Sequence, residues 1–384
     1  MSAASNGGTP GSETPRGGGG GKPDKRAKKN DKKKAGKKKG LGVLGVMLVT
    51  MTVLAVAGFG ALAGGYYWLA MQFESAGPHA EDATIQLAPG SGLNAIAAQL
   101  ESEGVITNRL VFRAGVTLEQ GERSLKAGEY LIPAGASMRE VYNQLSEGRV
   151  IDYSITFAEG LTSYQIVQII NASDLLTGEV AEVPPEGALL PETYSVTRGT
   201  QRQELLERMA RHQQELIAEL WPNRAEDLPY DTIGEAIIAA SIVEKETGRA
   251  DERGKVAAVV RNRLARPMRL QMDSTIIYGE WLEDQSRPLN IEPLGPELRR
   301  PDNPYNTYER DGLPPTPISN PGRDAIAATL NPEPTPEGER PILYFVASCE
   351  GDGKHHFTST LNEHERRRNE WRRCRNSLRE TASQ

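Results

Sequence analysis

The sequence predicts an α+β chain: a single N-terminal transmembrane helix, a small α/β module and a C-terminal mixed α/β domain. Three observations predict it. Leu41 to Met71 contains no charged residue. Ala83 to Ile151 alternates strand and helix patterns within a length that holds one small core. Beyond residue 231, helical periodicities alternate with proline-stiffened loops and a short apolar run. The 384 residues have room for two or more domains, and 25% charged with 38% hydrophobic residues is ordinary for a globular chain.

Residues 1–40 hold twelve Lys+Arg against three acidic residues, a balance of +9; the whole chain is −6, so residues 41–384 sum to −15. A disordered basic tail and an acidic body are therefore separate entities. In the span between them, 41–71, Leu41 to Gly65 is 25 residues, about 37 Å as a helix and enough to cross a hydrocarbon core of about 30 Å. Tyr66, Tyr67 and Trp68 follow where an aromatic interfacial belt is expected. Eleven basic residues from Lys22 to Lys39 put the N-terminus in the cytoplasm by the positive-inside rule, which exports the acidic body to the periplasmic side of the inner membrane. A cleaved signal peptide ending at Ala61-Leu62-Ala63 competes with this reading, but the apolar segment is longer than a signal peptide needs, which favours a retained anchor. The basic run beside the span suits anionic lipid headgroups better than nucleic acid. Gly17 to Gly21 has no preceding strand or following apolar helix, so it is tail and not a phosphate loop.

The two cysteines, Cys349 and Cys374, both lie in the exported part. That compartment permits a disulfide, while spacing leaves open whether their Cα atoms approach within about 7 Å. They are too few for a zinc site by themselves.

The module at 83–151 reads as a strand Ala83 to Leu87, a turn at Pro89 to Gly92, a helix Leu93 to Glu103, a second helix near Arg109 to Thr117, a strand Gly128 to Ile132 and a third helix Ser137 to Ser146. Ser137 with Glu140 three residues later forms a capping box. Strand, helix, helix, strand in so few residues resembles a LysM-like glycan-binding module. A connecting subdomain, 152–230, follows: a strand within Val150 to Phe157, a helix Ser163 to Ile170, a loop-rich stretch over 171–200, and a polar amphipathic helix Gln201 to Leu220 that must stop at Trp221-Pro222.

The domain at 231–384 opens on Ile237 to Gly248, IIAASIVEKETG, an apolar helix ending in two glutamates. At about 100° per residue, Ser241 and Glu244 share one face and Glu246 points roughly the opposite way. Glu246 is accordingly expected to look to solvent with Lys245. Glu244 is expected among Ile, Ala and Ser, surroundings that raise a carboxyl pKa and suit a general acid. After a helix Arg253 to Arg263, Leu270 to Gly279 reads as polar-studded and β-prone. Asn306-Thr307-Tyr308 precedes a proline-stiffened loop, Gly312 to Ile318, and Pro321-Gly322-Arg323 opens a helix to Leu330. Ile342 to Ala347 is a continuous apolar run, expected to be central and buried, and a basic helix ends the chain.

Metal chemistry has weak support. His364-Glu365 lacks a second His four positions on, and the adjacent His355 and His356 would point opposite ways on a strand. Ser241 has no G-x-S-x-G elbow around it, and no nucleotide fingerprint occurs. A glycosidic bond suits a buried glutamate with neutral neighbours best. Glu244 would protonate the leaving oxygen, and Gln271, Asn306, Tyr278 and Tyr308 could hydrogen-bond or stack on sugars. Asp273 is the nearest candidate for a second carboxylate. A noncatalytic, membrane-tethered wall-binding protein is the alternative from a different class.

Ordered matches across about 83–370 make the chain resemble the endolytic murein transglycosylase family (MltG, also called YceG-like). They are Ser241 to Thr247, Asn262-Arg263-Leu264, Leu270-Gln271 with Asp273, Thr275 and Ile277-Tyr278-Gly279, Asn306-Thr307-Tyr308, Gly312 to Pro315, Pro321-Gly322, Leu343 to Val346, and Gly353 with His355 and Phe357. Ser274 stands where the family usually has proline, and Lys354 where it usually has glycine. The resemblance implies a lytic transglycosylase that cuts nascent peptidoglycan between N-acetylmuramic acid and N-acetylglucosamine, leaving a 1,6-anhydro end. Glu244 would act as acid and then base. Ser241, Gln271, Asp273, Thr275, Tyr278, Asn306, Thr307, Tyr308 and His355 would contact substrate, with no metal and no cofactor. Peptidoglycan synthases are the implied protein partners.

Overall fold

A computed structural model describes residues 42–119, 125–287, 289, 301–350 and 352–382; the predicted tail at 1–40 lies outside them. Two compact units divide between Tyr66 and Tyr67. Helix α1, Val43–Glu74, runs through that division, and among the described residues it alone is long and apolar enough to cross a membrane.

The second unit begins with the end of α1. Phe73 is buried there, against Phe112 and Tyr142 and beneath the Arg139 guanidinium. Strand β1, Ala83–Leu87, is followed by α2, Leu93–Ser102, and α3, Arg109–Leu118, whose N-terminal N–H groups on Leu110 and Val111 donate to the Asn108 side chain. Strand β2, Gly128–Ile132, pairs antiparallel with β1, Ala83 opposite Ile132, and α4, Met138–Glu147, starts at the predicted Ser137/Glu140 capping box. The strand, helix, helix, strand order is therefore present. Alternation in β1 turns Ile85 and Leu87 inward onto Leu100, Phe112 and Tyr130.

The connecting region holds β3, Tyr153–Thr156, then α5, Ser163–Ala172, the two-residue β4, Leu176–Thr177, and β5, Thr193–Val196, antiparallel to β3. β6, Thr200–Gln201, leads into α6, Arg202–Leu220, which gives way to a single 3₁₀ turn at Trp221–Asn223, where Pro222 has no N–H to continue the ladder. Glu129 of β2 ties this region to the small module, accepting from Tyr153 Oη at 2.8 Å and Arg198 Nε at 2.9 Å.

The C-terminal core is organised around α7, Ile233–Glu246, capped by a Thr232/Glu235 box. Ala239, Ala240, Ile242 and Val243 are all fully buried, and the small alanines let α8, Arg253–Leu264, pack closely against it. Burying Ile242 or Val243 contributes about 1.5–3 kcal/mol each. α9, Asp273–Glu283, and α10, Arg323–Leu330, complete the helical layer. β7, Tyr344–Ala347, and β8, His355–Thr358, form an antiparallel hairpin, and α11, Leu361–Ala382, covers it.

Two expectations fail here. The stretch 270–279 is mostly helix α9 and not a strand: Thr275, Ile276 and Tyr278 turn into the core beside α7, and that packing outweighs their β-propensity. Ile342 to Ala347 is not a central strand. Among the described residues β7 has one partner, β8, and all four of its residues are only half-buried.

Candidate active site

The C-terminus of α7, the N-terminus of α9, strand β7 and α11 line an open cavity of about 740 Å³. Glu246, the last residue of α7, lines it together with Gln271, Asp273 and Tyr308. Ser274 Oγ donates to Glu246 Oε1 at 2.6 Å. Burial pushes the Glu246 carboxyl above its usual range and Asp273 adds to the rise; the Ser274 hydrogen bonds and His355 oppose it. Tyr308 Oη donates to Asp273 Oδ1 at 2.7 Å, fixing that carboxylate at the mouth of α9. Gln271 holds a left-handed backbone, φ 53°, pinned by its N–H donating to the Thr307 carbonyl at 3.1 Å. Strain of this kind persists only where the surroundings over-determine it.

Glu244 lies elsewhere. Its Oε2 accepts the Gly322 N–H at 3.0 Å, at the N-cap of α10, and Gly160 approaches it from the connecting region. Burial raises its pKa as well; Glu159 reinforces the rise, while the Gly322 N–H, Arg253 and Lys245 oppose it. A Cβ on Gly322 would meet the Glu159 carboxylate, which would have to swing aside. The expected solvent face for Glu246 is thus incorrect. The helical wheel separates the two carboxylates, but the end of α7 is covered on both sides, by α9 against Glu246 and by the Gly160 and Gly322 loops against Glu244.

The other predicted contact residues divide clearly. Gln271, Asp273 and Tyr308 face the cavity. Ser241 is fully buried, its Oγ donating to the Ile238 carbonyl and accepting the Ile318 N–H. Thr275 and Thr307 are buried against each other, Oγ1 to Oγ1 at 3.0 Å, and Thr307 Oγ1 also accepts the Met272 N–H. Asn306, also buried, accepts the Tyr308 N–H and shapes the turn that presents that tyrosine. Tyr278 is buried edge-on to Tyr305. These five are framework rather than cavity wall, because their polar atoms are engaged inside the fold. His355 also lies off the cavity lining; its N–H and Nδ1 meet the two carboxylate oxygens of Glu252 at 2.9 and 2.8 Å. No His/Cys/Asp/Glu group suited to a metal occurs among the described residues.

Sequence reasoning did not identify Ser274 as a partner of Glu246, and it placed Arg263 only within a family match, with no role at the site. The Arg263 guanidinium donates to the carbonyls of Leu343, Arg269 and Leu270, tying α8 to the hairpin and to the loop that carries Gln271. The signal for Ser274 was present, since it follows Asp273 at the opening of a helix, but only the α7–α9 packing aims it. Cys349 and Cys374, whose pairing the spacing left open, form a disulfide with Cα atoms 6.2 Å apart, joining α11 to the loop after β7.

The sequence profile of the YceG-like family matches residues 85–370. The endolytic murein transglycosylase of Streptococcus pneumoniae (serotype 2, strain D39) is 26% identical over 351 residues, covering 79% of this chain. The chain spans 62% of the length of that relative. The endolytic murein transglycosylase of Bacillus subtilis (strain 168) is 27% identical over 317 residues, 73% of this chain and 82% of that one. A crystal structure of a YceG-like protein from Listeria monocytogenes aligns with TM-score 0.45 and 28% identity, covering 74% of this chain and 99% of the other.

Proposed function

Since the chain belongs to the YceG-like family, we propose that it is a membrane-anchored lytic transglycosylase acting within peptidoglycan glycan strands, with Glu246 as its acid and base. The relatives named endolytic murein transglycosylase support the reaction class. The observation that carries the choice of residue is that Glu246, not Glu244, opens on the cavity beside Gln271, Asp273 and Tyr308.

In the first step the protonated Glu246 carboxyl gives its proton to the oxygen linking N-acetylmuramic acid to N-acetylglucosamine, and the C1–O bond breaks. The raised pKa suits this, because the group must hold its proton at the working pH. In the second step the same carboxylate takes the proton of the muramic C6 hydroxyl, whose oxygen bonds to C1 and closes a 1,6-anhydro ring. The proton lost in the first step is thereby recovered and water takes no part. An internal nucleophile has a high effective molarity and removes the need for a second carboxylate to activate water. Asp273, held by Tyr308, then serves to position the sugar. The disulfide suits an oxidising compartment and therefore a periplasmic C-terminal domain. The 83–151 module would grip glycan in a LysM-like manner, and the anchor would keep the site near newly made strands, where synthases work.

The test uses the full-length protein in detergent with purified glycan strands and mass analysis of the products. Wild type yields anhydro-muramic ends, Glu246→Gln yields none, and Glu244→Gln retains them. Loss in Glu244→Gln with retention in Glu246→Gln would return the acid to the position the sequence suggested. Reducing ends would mean hydrolysis, and glycan binding without any product would mean a noncatalytic tether.

A further inference from the structure

The part of the cavity wall that α11 supplies is unlike what a neutral sugar needs. α11 supplies Arg368, Arg372 and Arg375, with Trp371 beside them. Positions 368, 372 and 375 follow an i, i+4, i+7 spacing, so the three guanidinium groups share one helix face. Like charges at that spacing destabilise a helix when nothing offsets them. Elsewhere on α11 they are offset: Arg366 pairs with Glu363 and Arg367 with Glu370, neither arginine lining the cavity. Among the described residues no carboxylate pairs with Arg368, Arg372 or Arg375, and the buried Arg368 Nε and His364 Nδ1 have no hydrogen-bond partner. Burial, Arg368 and Arg263 hold the His364 pKa below its usual value, against Glu365, which raises it. All this occurs in a chain that carries −15 over residues 41–384, so the cluster runs against the overall charge. Trp371 lies under the Arg375 guanidinium, 4.6 Å from it, which holds that fork in place on an aromatic face.

We infer that this arginine face is a subsite for the carboxylates that peptidoglycan carries beside the scissile bond, so that the enzyme reads the acidic branch of the glycan and not the sugar backbone alone. The inference rests on the transglycosylase reading of the same cavity. Guanidinium forks match carboxylates in bidentate geometry. In peptidoglycan such groups have two sources: the peptide stem, and, on muramic acid that has lost its stem, the lactyl group, whose carboxyl is otherwise an amide. The disulfide gives the face its fixed position: Cys374 stands between Arg372 and Arg375 and is joined to Cys349 beyond β7.

The experiment measures binding, not turnover. Full-length protein carrying Glu246→Gln, in detergent, is titrated with three soluble glycan fragments: one with intact stems, one stripped of peptide so that only lactyl carboxylates remain, and one with every carboxylate converted to amide. The stem-bearing fragment should bind about tenfold more tightly than the amidated one. That preference should shrink at high salt and vanish in Arg372→Gln/Arg375→Gln. Tight binding of both charged fragments means that the face takes either carboxylate, tight binding of the stripped fragment alone assigns it to the stem-free lactyl group, and weak binding of the stripped fragment assigns it to the stem. Equal affinity for charged and amidated fragments would overturn the inference while leaving the glycan reading intact, as would a uniform loss in the double variant. Failure of all three fragments to bind would overturn the glycan reading and the subsite with it.

Discussion

Replacing Glu186 by glutamine should stabilise the protein at alkaline pH and leave it unchanged near pH 4.5. Glu186 lies where the connecting region meets the C-terminal core. Its Oε2 accepts the Ser163 N–H at 2.9 Å and Asn320 Nδ2 at 3.3 Å, and the Tyr278 hydroxyl also bonds to it. Burial outweighs these donors and pushes the carboxyl from 4.5 up to about 7. Below 4.5 the group is protonated in both folded and unfolded chains. Between 4.5 and about 7 the folded chain keeps a proton that the unfolded chain has lost, so the stability this group contributes falls as pH rises and is gone above the folded value. A shift of this size at about 1.4 kcal/mol per unit corresponds to roughly 3 kcal/mol, or about 2–3 kcal/mol after allowing for partial exposure. Glutamine imitates the protonated group, still accepting from Ser163 and Asn320, and should remove that loss. Urea unfolding of both proteins from pH 4.5 to 8.5, followed by tryptophan fluorescence, measures the difference; Trp281, 5.7 Å from Tyr278 between ring centroids, reports locally. Titrations common to both proteins cancel in the comparison. Two curves running parallel across this range, or a variant less stable than wild type at pH 8, would refute the reasoning.

Ser274→Ala removes a donor that favours the ionised Glu246. The alkaline limb of the activity profile should then move to higher pH by roughly half to one unit, seen in initial rates of anhydro-end formation. Phe73→Ala empties a fully buried site between Phe112, Tyr142 and Gly115, and should cost about 3–5 kcal/mol of the small module's stability, measured by denaturant unfolding and by protease sensitivity near residue 74. Converting Cys349 and Cys374 to serine opens a link with a sequence separation of 25 residues, worth about 3.5 kcal/mol in the chain-entropy model. The melting temperature should fall, and reductant should lower that of wild type but not of the variant.

What the sequence could show was whatever local chemistry decides. The Ser137/Glu140 box is a short-range pattern, and α4 begins where that pattern says. Strand β1 alternates, and its inward residues are the alternating ones. Judgements that depend on a distant neighbour failed. Thr275, Ile276 and Tyr278 are β-prone by type but helical because α7 offers them a core to fill. Ile342 to Ala347 is apolar because α11 and α8 pack on the hairpin, not because strands lie on both sides. The sequence marks a basic last helix but not that one of its faces lines the cavity. The two glutamates show the limit most clearly: a wheel fixes the angle between Glu244 and Glu246, but not which side receives a cavity and which a backbone N–H.

Position along α7 explains why this helix end can carry an acid at all. Glu244 and Glu246 both lie in its last turn, where the macrodipole presents its negative end and disfavours a carboxylate by about 0.3–1 kcal/mol. That acts in the same direction as burial, which raises both pKa values. The two groups differ in what opposes the rise. Glu244 has a backbone N–H and faces Arg253 and Lys245, partners that persist through any reaction and make it a bridge between α7 and α10. The hydrogen bonds that Glu246 receives come from Ser274, His355 acts on it only through its charge, and the cavity and the Asp273 carboxylate lie beside it. A group that must release a proton and recover it needs such one-sided support, because each permanent donor to the carboxylate lowers the affinity for the returning proton. Exchanging the two environments, for instance by giving Glu246 a fixed cation through Ser274→Lys, should hold it ionised and abolish anhydro-end formation. Ser274→Gln, neutral and comparably long, should retain more activity than the lysine variant, and equal loss in both would assign the effect to bulk and not to charge.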